Sequence, residues 1–492
     1  MKNSGFSRLV LLALFAIPLS LSMALIVGPV LRDGMFIDGL VYTNIAKNLA
    51  DNHGSIWEPV VDVGGPEFYG HPALLPYLQS YFFRLLGTQN HVEDIYNLFV
   101  FAATLWLICL IWKESVSQKN RLLCFFPMLL FVLSQEVQLR YPNTMLECGM
   151  TAILLLGTYL YCKFRSKPLL ASGAVGVTTF LAFLSKGPVG MFLLVLPVFW
   201  EWFENRRLRL LYLLLPTTIF LGCGAMLAIL QPQAVVFFES YLNTQLFPAL
   251  KGEALENLRN TRWGILHGLV MLNIPAIISC LLVWFINSPS ENTHRNRAWA
   301  FLLIGFAAIV PITFSLKQAS YYQIPSLPYF CLGLSLLLVN KIRVMTTFIT
   351  SNRRLRKGLI VFSTLAVIST TFYALSLSTK TDRRDVAALH QAAQIDYIMD
   401  SVQVSSYNFQ VVNDSLHAGS ALSYSLPGFL NRFHNIYRDH TDNSFVTLTM
   451  RSDSGFPAVQ PNETVLLQND TLLLTIKANR DSQQKDGAGT GQ

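Results

Sequence analysis

The chain has 492 residues, of which 52% are hydrophobic and only 13% are charged, whereas an ordinary soluble domain carries about 25% charged residues. This composition excludes a soluble globular protein. Apolar runs at residues 9–31, 208–230 and 265–286 are each long enough to cross a hydrocarbon core, which takes about 20 residues. We therefore expect a multi-spanning membrane protein.

The distribution of Lys and Arg between the loops predicts how the spans are oriented in the membrane. Eleven segments are expected to cross the membrane, and they are 9–31, 97–112, 122–135, 145–162, 168–184, 188–203, 208–230, 265–286, 298–316, 325–340 and 358–378. The loops on one side of this pattern are all basic, so the positive-inside rule predicts a cytoplasmic N-terminus and an outside C-terminus. The net charge of +8 then needs no nucleic-acid partner. The first run is longer than the core of a signal peptide, which favours an uncleaved anchor.

The seven cysteines lie inside or at the ends of apolar runs. They form no CxxC pair and no Cys/His cluster, which argues against a disulfide framework and against a cysteine metal site. No cofactor is expected, and a divalent metal is not indicated.

Three outside segments are too long to be simple turns. Residues 32–96 contain two helical patterns, Gly39–Ala50 and Pro72–Leu86, and residues 231–264 contain an amphipathic helix that is expected to lie on the membrane surface. After about residue 379 the composition becomes polar, with strand patterns at 446–450, 465–467 and 472–476.

The predicted fold is therefore an α-helical polytopic membrane protein with about eleven transmembrane helices and a small C-terminal α+β extracytoplasmic domain. Its parts are a membrane domain at 1–378, the small domain at 379–480 and a disordered tail at 481–492.

Ionisable residues at the outside ends of the spans are candidates for function, because charge near a bilayer is costly and is usually paired or functional. Asp38 opens a helix, where an N-cap is the simpler explanation. His71 lies in an aromatic-Gly-His-Pro turn, where a surface histidine is equally plausible. Lys186 follows an apolar span and can snorkel to the interface. Further candidates on the same predicted face are Glu147, Arg262, Lys317, Tyr321 and Tyr322.

A carboxylate that faces several cations at a membrane surface is suited to group transfer from a lipid-linked phosphate. The cations stabilise the phosphate leaving group, and the carboxylate accepts a proton from the attacking hydroxyl or amine.

These motifs resemble the GT-C superfamily of polyprenyl-phosphate-sugar glycosyltransferases, in the branch that contains the protein O-mannosyltransferases and the aminoarabinose transferase of lipid A. The resemblance covers residues 9–340. It rests on Asp38…Tyr42…Ala46, Tyr69-Gly70-His71-Pro72, Lys186-Gly187-Pro188 and Lys317…Tyr321-Tyr322…Pro325…Pro328.

The resemblance implies that Asp38 is the catalytic base. Relatives usually have Asp-Glu there, whereas this chain has Asp38-Gly39, and many have a lysine where this chain has His71. A phosphate contact at His71 would then be weaker or pH-dependent. The implied donor-phosphate ligands are Lys186, Lys317, Arg262, Tyr321, Tyr322 and His71, and the implied acceptor-binding residues are Glu147 and Tyr42.

The resulting hypothesis is an inverting, single-displacement transferase. The donor is a polyprenyl-phosphate-linked sugar and the acceptor is a lipid, glycan or protein, at the periplasmic face of a bacterial inner membrane. A polytopic flippase or transporter for lipid-linked sugars is the main alternative, although the internal duplication common in transporters is not seen. A non-catalytic scaffold is the second alternative.

Overall fold

The computed structural model describes most of the chain, in ranges that contain mainly helix. These ranges are 8–89, 91–206, 211–251, 261–288, 292–411, 421–439, 444, 446–450 and 459–477. The predicted disordered tail at 481–492 lies outside them. Within these ranges the chain forms two compact units. The first comprises Met1–Asp33, Tyr69–Leu75 and Glu93–Lys380, and the second comprises Gly34–Phe68, Pro76–Val92 and Thr381–Gln492.

The first unit consists of helices. Its α-helices are Arg8–Ser22, Gly28–Val30, Val92–Ser115, Phe125–Val132, Gln135–Arg140, Leu146–Phe164, Pro168–Lys186, Leu196–Asn205, Leu211–Leu230, Pro232–Tyr241, Phe247–Lys251, Gly264–Met271, Ile274–Trp284, Arg295–Ile309, Leu327–Ser351 and Arg353–Leu375. Its 3-10 segments are Gln118–Cys124, Tyr141–Asn143, Gly187–Val195, Val310–Phe314 and Ser320–Ser326, and its π turns are Met23–Val27 and Leu242–Leu246. All seven cysteines are free thiols.

The chain is a multi-pass membrane protein. Among the residues with described coordinates, six helices are long and apolar enough to cross a membrane, and the number rises to nine if each of three bent helix pairs counts as one span. The sharpest bend, 115°, separates Leu214–Leu230 from Pro232–Ala249. The helix Leu146–Phe164 matches the predicted span 145–162 but is not among the nine. The predicted number of eleven and the orientation stay predictions.

The helical stretch Pro168–Glu204 reverses direction at Gly187. The Gly187 backbone has a φ of +79°, which glycine adopts without the penalty that a Cβ brings. A Cβ built on Gly190 would lie 2.7 Å from the Ala182 Cβ, although eight residues of straight helix would separate the two by about 12 Å. The stretch is therefore a hairpin, and its turn lies at the predicted boundary between spans 168–184 and 188–203.

The second unit combines helices with one sheet. Its helices are Ile37–Ala50, most of Leu74–Leu86, Val386–Ser401 and Ala421–His434, and its strands are β1 (Ser406–Val411), β2 (Tyr437–Asp439), β3 (Val446–Met450), β4 (Glu463–Gln468) and β5 (Leu472–Lys477). The order in the sheet is β2-β1-β3-β5-β4. Strand β1 pairs in parallel with β2 and β3, and β5 pairs in antiparallel fashion with β3 and β4. The predicted hairpin at 465–476 is thus present.

The core of the second unit is not supplied by the C-terminal segment alone. Met35 and Leu40 are buried in one cluster with Leu426, Phe429 and Leu448. The segment 34–68, which the sequence analysis assigns to the membrane domain, therefore belongs to the same compact unit as the C-terminal strands. A tail of about 100 residues with one small sheet gains the apolar surface it needs for a core from the earlier segment.

Arg432 joins two separate stretches of the second unit. Its side chain is 1% exposed, and its guanidinium donates hydrogen bonds to the carbonyl oxygens of Thr88 at 3.0 Å and Gln89 at 2.9 Å. The guanidinium carbon also lies 5.0 Å from the ring centres of Phe83 and Phe433. A planar fork that donates in two directions while it stacks on rings is specific to arginine.

We predict that Arg432→Met lowers the free energy of unfolding by about 2–3 kcal/mol, since hydrogen bonds to a charged group contribute about 1.5–3 kcal/mol and the two carbonyls lose their donor. The thermal unfolding midpoint of the purified protein in detergent measures the effect. Arg383→Met, at an exposed arginine of the same unit, is the control and should leave the midpoint within error. Equal midpoints for the two variants would contradict the prediction.

Candidate functional site

The residues predicted to carry chemistry fall in both compact units, and each group is described within its own unit. Asp38 and Tyr42 lie on the helix Ile37–Ala50 of the second unit. His71, Glu147, Lys186, Lys317 and the tyrosine pair lie in the first unit.

Asp38 is not the N-cap of its helix. The N-cap is Phe36, which makes no side-chain capping bond, and Asp38 lies in the first turn. There its carboxylate is favoured by the positive end of the helix dipole, and its side chain is partly exposed. The N-cap explanation for this residue is therefore wrong. Tyr42, one turn further on, is buried with its ring 6.4 Å from that of Phe68.

Buried asparagines fix the Asp38 helix within the second unit. The Asn44 side-chain amide donates to the Gly428 carbonyl at 3.1 Å, and the Asn48 amide donates to the carbonyls of Val60 at 3.1 Å and Val61 at 2.9 Å. Asn431 donates to the same Val61 carbonyl at 2.9 Å. Because buried backbone carbonyls need partners, these bonds set both the position and the rotation of the helix that carries Asp38.

The first unit contains a cavity of about 630 Å3, within the range of ligand pockets. We call it the lysine cavity. Most of its wall is apolar, from Pro188, Val189, Met191, Phe192, Val195, Leu246, Ala249, Ala307, Ala308, Val310, Pro311 and Ile312. Its ionisable lining residues are His71, Lys186, Lys317, Tyr241 and Tyr322. The cavity thus combines a long apolar wall with a small set of cationic and hydroxyl groups.

Lys186 is held by a buried ion pair. It is the last residue of the helix Pro168–Lys186, where the negative end of the helix dipole favours a cation. Its ammonium lies 2.5 Å from the Glu147 carboxylate, and the two side chains are 3% and 0% exposed. The ammonium also lies 5.4 Å from the ring centres of both Tyr321 and Tyr322.

Glu147 was predicted to bind the acceptor, and the structure gives it another contact. Its side chain is completely buried and its charge faces Lys186. A buried charge without a counter-charge is strongly disfavoured, so this carboxylate compensates the buried ammonium of Lys186 and holds the side chain in place. The role of Glu147 in acceptor binding stays a prediction.

Lys317 lies in a turn that Gln318 braces. The buried Gln318 amide donates to the carbonyls of Ser315 at 2.7 Å and Arg262 at 2.9 Å, and its oxygen accepts from the backbone N–H of Ile265 at 2.9 Å. These bonds join the turn to the start of the helix Gly264–Met271. Gln318 is not among the residues that the sequence predicts to carry function.

His71 is partly buried at the wall of the lysine cavity. Its turn is anchored by Tyr69, whose ring lies 5.6 Å from that of Phe237. Burial, and then the positive charges of Lys186 and Lys317, hold the pKa of His71 well below its usual range. The imidazole is therefore neutral at pH 7, so it can donate and accept hydrogen bonds there without adding charge.

Two of the predicted phosphate ligands do not line the cavity. The Arg262 side chain is exposed, and Arg262 contributes its carbonyl to the Gln318 bridge. Tyr321 is buried behind Tyr322, with the two rings perpendicular at 5.1 Å, and Arg140 lies 4.9 Å from its ring centre. Tyr321 thus packs against Tyr322 and Lys186. The role of Arg262 in phosphate binding stays a sequence-based prediction.

Tyr241 is the lining residue that sequence reasoning missed. It lies at the end of the helix Pro232–Tyr241, and a Cβ built on Gly187 would collide with its hydroxyl. The helical spacing of Phe237, Phe238 and Tyr241 was the available signal, and it was interpreted as membrane contact. Among the residues with described coordinates, no group of three or more His, Cys, Asp or Glu side chains is placed to hold a metal ion.

Solved structures place this arrangement in a known fold. The chain superposes on ArnT from Cupriavidus metallidurans, crystallised with undecaprenyl phosphate and in the apo state, with a TM-score of 0.60 in both cases. This chain has the same fold as that ArnT. The sequence identity is 13%, and the match to the undecaprenyl phosphate complex covers 94% of this chain and 97% of that one. The fold-level part of the predicted resemblance is confirmed.

A more distant match is the Archaeoglobus fulgidus oligosaccharyltransferase in the apo form, with a TM-score of 0.43, 13% identity and coverage of 87% of this chain and 64% of that chain. No protein-family model and no curated protein sequence matches the chain. The fold assignment therefore comes from three-dimensional structure alone.

We predict that Glu147→Gln lowers the free energy of unfolding by about 3–5 kcal/mol, because it leaves the Lys186 charge buried without a partner. The double variant Glu147→Gln/Lys186→Met should recover much of this loss. Equilibrium unfolding in detergent measures both. The matched control is Glu204→Gln, which breaks the more exposed Arg297–Glu204 pair and should cost less. A double variant that is no more stable than Glu147→Gln would contradict the prediction.

Proposed function

We propose that this chain is an integral membrane glycosyltransferase that takes its sugar from a polyprenyl-phosphate-linked donor. The observation that carries the proposal is the composition of the lysine cavity, where an apolar wall adjoins Lys186, Lys317 and the Tyr322 hydroxyl. A polyprenyl phosphate has the same two parts, an apolar chain and an anionic head. The crystallised ArnT with the same fold binds undecaprenyl phosphate, which supports the proposal.

The head of the donor binds to the cationic end of the cavity. Lys317 and Lys186 stabilise the phosphate by charge-assisted hydrogen bonds, and Tyr322 donates a hydroxyl. The surrounding apolar wall lowers the local dielectric constant, which strengthens these interactions relative to those in water. As charge develops on the phosphate during bond cleavage, cations that are already in place stabilise it without reorganisation.

Asp38 is the proposed base. It accepts the proton of the attacking group, which is a hydroxyl or amine of a lipid, glycan or protein acceptor, and the sugar is transferred with inversion at its anomeric carbon. An unperturbed aspartate has a pKa of about 3.9 and is a weak base, so positioning and leaving-group stabilisation supply much of the rate. The reaction takes place at the periplasmic face of a bacterial inner membrane.

Purified protein should transfer labelled sugar from a polyprenyl-phosphate donor to a membrane extract, and Asp38→Asn should lower the rate by about 10²- to 10⁴-fold, the usual contribution of a general base. The substitution keeps the size of the side chain and removes its basicity, so binding of polyprenyl phosphate should persist. Asp33→Asn, an exposed acid of the same predicted outside segment, is the control. If vesicles with the protein move lipid-linked sugar across the bilayer without any transfer, the protein is a flippase and the proposal fails.

The affinity for polyprenyl phosphate tests the role of the lysine cavity in donor binding separately from the role of Asp38 as the base. Lys317→Gln removes one charge-assisted contact, which contributes about 1.5–3 kcal/mol, so the dissociation constant for polyprenyl phosphate should rise by about 10- to 150-fold. Calorimetry in detergent measures the constant. Lys251→Gln, at an exposed lysine that is not part of the cavity wall, should leave it unchanged. An equal effect of both substitutions would mean that only overall charge matters.

A further inference from the structure

The lysine cavity carries a net charge that fits one of the two phosphate species in the proposed reaction. Lys186 is matched by Glu147 at 2.5 Å. His71 is neutral at pH 7, because burial and the two lysines hold its pKa well below the usual range. The formal charges of Lys186, Glu147, His71 and Lys317 therefore sum to a single positive charge. Tyr241 and Tyr322, the remaining ionisable groups of the wall, contribute hydroxyl groups.

The donor and the product differ in charge at the phosphate. The donor is a phosphodiester, which carries one negative charge. During transfer the bond between the anomeric carbon and the phosphate oxygen breaks, and its electron pair stays on that oxygen. The new bond forms to the acceptor, whose proton goes to the proposed base. The product is a phosphate monoester, with a second pKa of about 6, and it carries close to two negative charges at neutral pH.

We propose that His71 is a charge-matching residue that is neutral while the donor is bound and takes up a proton from solvent when the phosphate becomes a monoester dianion. This inference rests on the proposed function and adds a residue-specific regulation of the same site. His71 lines the same cavity as Lys186 and Lys317, so the second negative charge forms next to its imidazole. That charge favours the protonated ring, whereas the two lysines oppose it in the empty cavity.

The consequence is a pH-dependent release of product. Below the His71 pKa of the product complex, the imidazolium holds the dianion, and above it the ring loses its proton and one attraction disappears. Product affinity should therefore fall as the pH rises, while affinity for a phosphodiester stays flat. A lysine at this position would stay charged in both states and could not make this distinction.

Calorimetry with two probes tests the inference, namely farnesyl monophosphate and its methyl phosphodiester, each titrated into the full-length protein in detergent. Titrations at pH 7.5 in buffers of different ionisation enthalpy count the protons that accompany binding. The wild-type protein should take up about one proton per monophosphate, since the free ligand, with a second pKa of about 6, is already largely a dianion. It should take up none with the diester.

Variants assign the proton to His71. His71→Gln should bind the monophosphate without proton uptake and with an affinity that no longer falls between pH 7 and pH 9. His71→Lys should bind it tightly without uptake. His267→Gln, at an exposed histidine that does not line the cavity, should behave as the wild type does.

The outcomes separate this inference from the proposed function. Equal proton uptake by the wild type and His71→Gln, or no uptake by the wild type although both probes bind, overturns the inference and leaves the proposed donor cavity intact. If neither probe binds to the wild-type protein, the donor cavity is wrong and the inference falls with it. Retained binding of the diester shows that His71→Gln is folded.

Discussion

The buried pair of Glu147 and Lys186 is the interaction on which the lysine cavity depends. Each side chain is nearly inaccessible to water, and either charge alone would be strongly disfavoured in so apolar a setting. The pair joins the start of the helix Leu146–Phe164 to the end of the helix Pro168–Lys186. The chain must then reverse immediately after Lys186, and the positive φ of Gly187 permits this. The ion pair and the turn together fix Lys186 at the turn of the hairpin, in the wall of the lysine cavity.

Local patterns were sufficient to predict most helices. Apolar run length placed the long helices, and the Gly-Pro at 187–188 marked the hairpin, because these signals come from the chain segment itself. The C-terminal hairpin was also predictable from its alternation. Strands β1 and β2 were missed because β2 has only three residues and because parallel partners are distant in sequence. For the same reason, no local pattern shows that Met35 and Leu40 share a core with Leu426 and Phe429.

The candidate site was predicted in part, and the division has a physical cause. Lysines and a histidine at the ends of apolar helices stand out in any hydropathy pattern, so His71, Lys186 and Lys317 could be chosen as candidates, and the structure places all three at the wall of one cavity. What each side chain faces is decided by tertiary packing. The ion pair between Glu147 and Lys186 was therefore not predicted. Gln318 and Tyr241 were overlooked because a buried amide or phenol has no signature in sequence. The asparagines that fix the Asp38 helix escaped notice for the same reason, since their partners are backbone carbonyls.

The distribution of charge also shows how such a cavity can exist without a ligand. Several free cations around an apolar wall would repel one another and would each lose hydration, so an empty cavity with three positive charges would be costly. The structure avoids this in two ways, because one lysine is paired with a carboxylate and the third basic group is a neutral imidazole. Lys317, which is partly exposed, retains contact with solvent. The lysine cavity thus carries one net positive charge before the phosphate binds, and His71 becomes a further cation only next to the phosphate dianion.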